Sequence, residues 1–265
     1  MNYEKKETLL SVKNVSLSYG PKKIIRDINL EIKDIVRPDC ITGQIVALIG
    51  QSGSGKTTLF NLLAGLQSPG TGTILQGVNQ LPVRAGDMGI VYQNYFLYPW
   101  RKVRTLLGFA IDRNPSLDKK NEKDYIAGIA EDFNFSEHLD KYPCQLSGGQ
   151  NQRVAIAEQI LCGSEFILMD EPFSGLDMIM IDKVMNILVK TSVMDELKTI
   201  FIVSHDIANT VAIAETIYIL AKVQGTEGAT ITHELDLMAR GLAWHPDVKD
   251  MPQFRETLKE IKSYL

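Results

Sequence analysis

The sequence has little of what marks secreted, disulfide-stapled or nucleic-acid-binding proteins. Its 3 cysteines, Cys40, Cys144 and Cys162, form no CxxC pair. This argues against a disulfide framework or a cysteine metal site and favours free thiols in a reducing cytosol. The formal net charge is -4, so a partner that needs a broad basic surface, such as DNA or RNA, is not expected.

Long apolar runs are also missing. The first ten residues, MNYEKKETLL, lack the apolar core of a signal peptide. The longest apolar runs, such as residues 45–49 and 166–169, are far shorter than the roughly 20 residues that a helix needs to cross a bilayer. We therefore expect any membrane role to come through a partner.

The rest of the sequence has the balance of an ordinary folded domain. It is 45% hydrophobic and 23% charged over 265 residues, enough for one large domain with small appended parts. Residues 8–49 alternate apolar and polar side chains and predict short strands, interrupted at 33–42 by a loop with a turn at Pro38. Residues 94–160 are predominantly helical in pattern.

Two later segments, 166–170 and 199–206, carry fully apolar strand patterns. Such strands, separated by helices, are typical of a parallel sheet covered on both faces. Residues 213–222 and 229–232 would close the sheet, and from residue 233 we predict a helical extension packed on the domain's flank rather than a regulatory element. The helical spacing of this extension is set by Phe254, Leu258, Ile261 and Leu265.

A glycine-rich segment at residues 50–57, GQSGSGKT, matches the pattern GxxxxGK[ST]. Glycines let backbone N–H groups wrap closely round a triphosphate, and the helix that follows aims its positive N-terminus at the same anion. Lys56 would reach the β- and γ-phosphates, and the Thr57 hydroxyl would ligate Mg²⁺. A flexible loop without a ligand is the alternative, but the apolar strand before the segment and the helix after it favour a phosphate site.

The segment FILMDE supplies a second half to this site. A buried strand that ends in a carboxylate places Asp170 where it can hold Mg²⁺, directly or through water. The adjacent Glu171 would lie nearer the γ-phosphate and polarise an attacking water. An acidic residue at the end of a buried strand is a weak signal alone, but together with the phosphate loop it indicates hydrolysis.

The most specific feature is LSGGQ at residues 146–150. Ser-Gly-Gly at a helix N-terminus makes a second anion-binding loop. Here the sequence resembles the ATP-binding cassette (ABC) family, whose signature motif is LSGGQ, and the resemblance extends to about residue 222 with the motifs in order. It implies an α/β fold: a P-loop NTPase core with a parallel sheet, an antiparallel β subdomain and a helical signature subdomain.

The resemblance implies that two copies pair head to tail, with each ATP between residues 50–58 of one chain and 147–150 of the other. Tyr19 would stack on adenine, Gln93 would contact Mg²⁺ or the attacking water, and His205 would contact the γ-phosphate. The implied catalytic residues are Glu171, His205 and Gln93, and the implied metal ligands are Thr57, Gln93 and Asp170. The implied nucleotide-binding residues are Tyr19, Gly50, Gln51, Ser52, Gly53, Ser54, Gly55, Lys56, Thr57, Thr58, Asp170, Ser147, Gly148, Gly149, Gln150 and Asp177.

The chain departs from the family pattern at three places. The loop predicted at residues 33–42 is longer than the usual turn, Glu158 stands where an arginine is common, and Asn209 stands where a glutamate is common. All three lie outside the positions that would touch ATP. We therefore predict an active site, in an ATP-binding domain at residues 1–232 with its helical subdomain at about 94–160, followed by the extension at 233–265.

The aromatic segment at residues 94–103 indicates the kind of system. It resembles a stretch of importer cassettes for nitrate, sulfonates and taurine, and exposed aromatics suggest a groove for a partner helix. The alternative is that these rings pack the junction between two lobes. The resemblance implies a cytoplasmic ATPase on the inner face of the membrane. Its partners would be permease subunits, a second copy and a periplasmic or lipoprotein solute-binding protein, with no nucleic acid.

A soluble ABC ATPase that works outside transport is the other function to weigh. DNA-repair types carry long insertions and translation factors carry two cassettes in one chain, and this sequence has neither. An iron–sulfur assembly ATPase also has a single cassette, but the aromatic segment argues against it. Selectivity lies in the membrane subunits and the binding protein, so the leaning toward an importer of a small solute rests on that segment and on Tyr142-Pro143 before the signature, which fits the same group.

Overall fold

The computed structural model describes residues 3–38, 40–193 and 197–265. The described residues form one ten-stranded sheet with helices packed against it. The strands are β1 Glu4–Tyr19, β2 Lys22–Val36, β3 Gln44–Gly50, β4 Thr71–Gln76, β5 Leu81–Pro82, β6 Gly89–Val91, β7 Phe166–Asp170, β8 Thr199–Ser204, β9 Thr216–Lys222 and β10 Ala229–Asp236. The helices are α1 Lys56–Leu63, α2 Val103–Arg113, α3 Glu122–Asp132, α4 Gly148–Leu161, α5 Met178–Ser192, α6 Ile207–Val211 and α7 Pro252–Tyr264.

The sheet has a parallel half that brings the predicted motifs to one edge. In the order β5-β4-β1-β2-β10-β9-β3-β8-β7-β6, strands β9, β3, β8, β7 and β6 run parallel. Ile49 pairs with Ser204, and Asp170 pairs with Val203. The carboxyl ends of β3, β7 and β8 therefore meet, and this is the edge where open α/β sheets bind ligands. The prediction of a parallel sheet from fully apolar strands is confirmed.

The other half of the sheet is antiparallel and built on a long β1–β2 hairpin, with β4 and β5 beyond β1. The predicted loop at residues 33–42 is partly wrong, because β2 continues through Val36. The cause is pairing with the start of β1, where Glu4 lies opposite Val36 and Thr8 opposite Lys33. The turn predicted at Pro38 includes residue 39, which lies outside the described residues.

Helices α2, α3 and α4 form a cluster beside the parallel edge, in the region predicted to be helical. Their buried side chains, among them Leu107, Ile126 and Val154, share one core with the inner faces of β3, β7 and β8. A second core fills the other face of the sheet, between α1 and the β1–β2 hairpin. The parallel half is therefore covered on both sides, with α4 packed against it from Val154 onward.

The C-terminal part begins as a strand. β10 runs to Asp236 beside β9, and residues 237–247 form turns, so the prediction that residues from 233 onward are helical is wrong for 233–247. Helix α7 begins with Pro252 in its first turn, a favoured position for proline, and buries Phe254 and Ile261. It lies near α6 and β9. Across the described ranges, no helix combines the length and apolar character that a membrane crossing requires.

Candidate functional site

The glycine segment forms a tight loop between β3 and α1. Gly53 and Gly55 have φ of 74° and 97°, conformations that cost glycine little. A Cβ on Gly55 would lie 2.9 Å from Ile25 Cγ2, so the loop is pressed against the start of β2. The Lys56 ammonium donates to the carbonyls of Gly50 at 2.8 Å and Gln51 at 3.1 Å. The lysine side chain therefore folds back over the loop, and its ammonium lies on the concave side of the loop.

The two acidic residues follow at the end of β7. Asp170 and Glu171 are both buried, and Glu171 has a φ of 53°, an uncommon conformation for a non-glycine residue that points to a functional constraint. Ser204 Oγ donates to Glu171 Oε2 at 3.1 Å, and the His205 backbone N–H donates to the same oxygen at 3.3 Å. His205 Nδ1 lies 2.8 Å from Glu171 Oε1. The end of β8 thus fixes the carboxylate of Glu171 on both oxygens.

The charges of the site act on one another. Burial lowers the pKa of the Lys56 amine, while Glu171 and Asp170 oppose that shift. Burial also raises the pKa of Asp170, the neighbouring Glu171 adds to the rise, and Lys56 reduces it. One cation thus faces two carboxylates in a partly dehydrated space. Such a space favours an additional cation near the carboxylates and an anion near the lysine.

The predicted residues converge on a cavity of about 540 Å³. Its walls come from the phosphate loop, the end of β7, the segment after β6 and the segment after β8. The residues that line it are Ile24, Ser52, Gly53, Gly55, Lys56, Thr57, Thr58, Gln93, Asp170, Glu171 and His205. All three predicted catalytic residues and all three predicted metal ligands are among them, and Ile24 is an addition that the sequence did not suggest.

Four other residues that were predicted to bind the nucleotide within the same chain are not part of that lining. Gly50 and Gln51 contribute the carbonyls that accept from Lys56, and Ser54 is buried within the loop with its hydroxyl unpaired. Tyr19 is 52% exposed at the end of β1 and donates its hydroxyl to Gln67 Oε1 at 2.9 Å. Its ring therefore lies at the tip of the hairpin whose second strand passes along the cavity.

The signature residues are not among those that line this cavity. Ser147 caps α4, where its hydroxyl accepts the backbone N–H of Gln150 at 3.3 Å. Asp177 caps α5 by accepting the N–H of Met180 at 2.9 Å. A Cβ on Gly149 would lie 3.1 Å from Leu176 Cδ2, so the two segments adjoin. The phosphate loop and the α4 N-terminus are thus two separate surfaces of the chain.

Tyr95 is a site residue that sequence reasoning misassigned. It was expected among the exposed aromatics, but its hydroxyl is buried and, among the described residues, has no hydrogen-bond partner. Burial raises its pKa to about 12, and the negative charges of Asp170 and Glu171 contribute to the rise. No local pattern separates this ring from its neighbours, because only the folded chain brings it toward the two carboxylates.

The other aromatics of this segment lie at the surface as expected. Phe96, Tyr98 and Trp100 are exposed and contact one another in series, Phe96 edge-to-face with Tyr98 and Tyr98 tilted against Trp100, with ring centroids 5.9 Å and 5.5 Å apart. Beside them opens a groove of about 670 Å³, which also contains Phe109 and Glu158. Burial raises the pKa of Glu158 to about 7, with Arg113 acting against the shift. The groove beside these rings is therefore lined by aromatic side chains together with charged ones, Arg101, Arg113 and Glu158.

The residues of the cavity fit a nucleotide with a magnesium ion. The glycine loop leaves room for phosphate oxygens where side chains would intrude, and Thr57, Gln93 and Asp170 all offer oxygen, the ligand that Mg²⁺ prefers. Within the part of the chain that is described, no group of three or more His, Cys, Asp or Glu could hold a metal by itself. This agrees with Mg²⁺ sites that rely on one or two carboxylates and the substrate's phosphates.

Comparison with known proteins agrees with this geometry. The ABC transporter family model matches residues 34–174. The nitrate import ATP-binding protein NrtD of Synechocystis sp. is 33% identical over 254 residues, covering 93% of this chain and 89% of that protein. The aliphatic sulfonates import ATP-binding protein SsuB 2 of Pseudomonas fluorescens is 31% identical over 211 residues, covering 80% and 73%.

Solved structures also match most of this chain. A bacterial ABC transporter cassette solved as a dimer superimposes with a TM-score of 0.70 at 25% identity, covering 86% of this chain and 99% of that one. The family match spans the phosphate loop and the two acidic residues, which the fold brings into one cavity. The chain therefore belongs to the ABC transporter family, as its ATP-binding, ATP-hydrolysing subunit.

Proposed function

We propose that ATP is bound in the 540 Å³ cavity and hydrolysed there to drive import of a small solute. The observation that carries the proposal is the convergence of the phosphate loop, the paired acids, Gln93 and His205 on that one space. Residues 50–58 hold the triphosphate through backbone N–H groups, with Lys56 on the β- and γ-phosphates. Tyr19 covers the adenine ring from the hairpin tip.

A magnesium ion would be held by Thr57, Gln93 and Asp170. When bound, it neutralises charge on the phosphates and favours departure of the leaving group. The chain's own contribution is positional: Thr57 lies in the first turn of α1, and Asp170 is fixed by β7 pairing with β8. The raised pKa of Asp170 is the electrostatic cost of two adjacent buried carboxylates, which a nearby cation would relieve.

Glu171 takes a proton from the attacking water. Both of its oxygens are held by Ser204 and His205, so its carboxylate does not need to reorient during the reaction. His205 is the residue that contacts the γ-phosphate, and its side chain is 67% exposed toward the open side. Gln93 orients the water from the opposite wall.

The signature residues 147–150 act on the ATP of a second copy, and Asp177 lies at the same contact. Two features support this: these residues are absent from the lining of their own chain's cavity, and Ser147 presents a helix N-terminus, an anion site in its own right. A head-to-tail pair would bring each signature onto the partner's phosphate loop. The site is then complete only in the dimer.

Permease subunits dock on the aromatic rings beside the cavity, and a periplasmic or lipoprotein protein delivers the solute. The chain would work on the cytoplasmic face of the membrane, with residues 1–232 as the ATP-binding domain and 233–265 as an extension. The relatives named for nitrate and aliphatic sulfonates favour a small anion of that kind, or taurine. A soluble assembly ATPase is not favoured, because the similar proteins are import subunits.

The test compares wild-type chain with Lys56→Ala by calorimetry with Mg·ATP and by phosphate release. Lys56 supplies the cation of the phosphate cradle, so the variant should lose ATP binding. Lys123→Ala, an exposed lysine on α3, is the matched control and should bind like wild type. Equal ATP affinity in all three proteins would contradict the proposal. Copurification with a polytopic membrane protein separates a transporter subunit from a soluble assembly ATPase.

A further inference from the structure

The start of α4 is closed by two reciprocal hydrogen bonds. The Gln150 backbone N–H donates to Ser147 Oγ at 3.3 Å, and the Ser147 backbone N–H donates to Gln150 Oε1 at 2.9 Å. This capping box satisfies two of the amides that a helix N-terminus leaves free. It also makes the conformation of the signature loop depend on where the Gln150 side chain lies.

Behind the capping box lies a histidine with no role in the proposed mechanism. His138 ends a short 3₁₀ turn, Ser136–His138, and its side chain is only 8% exposed. Its Nε2 lies 2.9 Å from the side-chain nitrogen of Gln150. In the described part of the chain, its Nδ1 is buried without a hydrogen-bond partner. The Gln150 amide is therefore the shortest polar contact of this imidazole among the described residues.

The contact indicates which tautomer His138 adopts. Gln150 Oε1 already accepts from Ser147, so the group that faces the imidazole is the amide NH₂, which can only donate. His138 Nε2 must therefore accept, and the ring proton is on Nδ1. Glu137 Oε1 lies 3.5 Å from the same nitrogen on a side chain that is 84% exposed. That distance is longer than an ordinary hydrogen bond, so the shorter contact to Gln150 determines which ring nitrogen carries the proton.

We propose that His138 is a positioning residue for the signature loop. By accepting from the Gln150 amide, it keeps Gln150 Oε1 on the Ser147 N–H and holds the loop in the shape that receives a phosphate. This rests on the proposed function, in which residues 147–150 bind the ATP of a second copy. His138 does not touch nucleotide and acts only through Gln150.

Two variants separate the hydrogen bond from the packing. His138→Gln carries an acceptor at about the reach of Nε2, whereas His138→Leu fills similar volume without one. We expect His138→Leu to lower kcat for ATP hydrolysis by about ten-fold, the effect of one lost hydrogen bond at a loop that acts in the transition state. Its KM and the ATP affinity of the isolated chain should change little, because the phosphate loop belongs to another part of the fold. His138→Gln should recover most of the rate.

The overturning results are equally specific. Equal loss of kcat in both variants, or loss that follows a lower unfolding temperature, would mean that His138 serves packing alone. Ser147→Arg is measured alongside. If it abolishes hydrolysis while His138→Leu matches wild type, the positioning role is refuted and the proposed function stands. If Ser147→Arg hydrolyses ATP normally in the assembled dimer, it is the proposed function that fails.

A measurement on the wild-type chain keeps the test independent of how the variants fold. The sequence has 4 histidines, and ¹⁵N–¹H correlation spectra of the imidazoles distinguish their tautomers. The His138 resonances are assigned as those absent from the His138→Gln spectrum. We expect the Nδ1–H tautomer. An Nε2–H tautomer would place two donors face to face and overturn the inference.

Discussion

Replacing Glu171 with glutamine removes a base and leaves its surroundings almost unchanged. The Ser204 hydroxyl and the His205 backbone N–H both donate to one oxygen of Glu171, at 3.1 Å and 3.3 Å, and the amide oxygen of glutamine can accept both. The other oxygen lies 2.8 Å from His205 Nδ1, and the amide NH₂ can donate to that nitrogen once the exposed imidazole carries its proton on Nε2 instead. The substitution should therefore preserve the φ of 53° at this position and the fold around it.

The expected loss of rate follows from the role of a general base. Proton transfer to a positioned side chain contributes about 10²- to 10⁴-fold to turnover, which corresponds to about 3–5 kcal/mol of activation free energy. Glu171→Gln should lower phosphate release by at least about a hundred-fold. Affinity for Mg·ATP should stay the same or rise, because one of the two carboxylates that face the phosphates loses its charge. ATP-bound dimers should accumulate as a result.

The assays are phosphate release at saturating Mg·ATP, calorimetry for affinity, and light scattering for the dimer. Ser204→Ala is the matched control, since it removes one donor to Glu171 and keeps the carboxylate. It should cost about ten-fold in rate, as expected for one hydrogen bond. Turnover of Glu171→Gln within about three-fold of wild type, well short of the loss expected for a base, would refute the assignment. A parallel loss of thermal stability would show a role in the fold.

Three further predictions follow from other parts of the chain. A mixed dimer of one Lys56→Ala chain and one Ser147→Arg chain should release phosphate although neither homodimer does. If each ATP site combines the phosphate loop of one chain with the signature of the other, one site of the mixed dimer carries both substitutions and the other site carries none. A structure in which Ser147 contacts the ATP of its own chain would contradict this. Replacing Tyr98 and Trp100, both exposed, with serine should weaken the pull-down of the permease and leave ATP affinity unchanged. Loss of ATP binding together with loss of the pull-down would mean that the two rings support the fold itself. Burial raises the pKa of Glu215 from its ordinary value of 4.5 to about 8, so the fold keeps a proton that the unfolded chain releases. As the pH rises from about 4.5 to about 8, Glu215 should lower the free energy of unfolding by about 1.4 kcal/mol per pH unit. Glu215→Gln should remove this contribution, which denaturant melts at several pH values would measure.

Sequence reasoning was most successful where structure depends on neighbours along the chain. The strand, glycine loop and helix around residues 45–66 were predicted in order, and β3 ends at Gly50 and α1 begins at Lys56. The signal is local: an apolar run, glycines with φ that other residues avoid, then helical leucine spacing. The apolar patterns of β7 and β8 likewise predicted a parallel sheet, with Asp170 at the end of one strand, whereas His205 was assigned through the family resemblance.

The misses come from contacts between distant parts of the chain. Residues 33–36 look like a polar loop but become strand because the first residues of β1 pair with them. Residues 233–236 extend β10 because β9 offers a free edge. His138 has no sequence signal at all, since its only polar partner of importance lies across a turn on α4. In each case a pairing partner, absent from any local window, supplies the free energy that overrides the local pattern.

The aromatic segment joins the cavity to the outer surface over a short length of chain. Gln93 lines the cavity, and Trp100 lies at the surface with 66% of its area exposed. Between them Tyr95 is held at a φ of 34° with its hydroxyl buried, and Leu97 is buried in the core. Two interior side chains therefore anchor the segment between Gln93 and the exposed rings. We expect a shift of Gln93 toward a bound phosphate to reach Tyr98 and Trp100 through these anchors, and a transport ATPase would use such a path to couple its cavity to a partner.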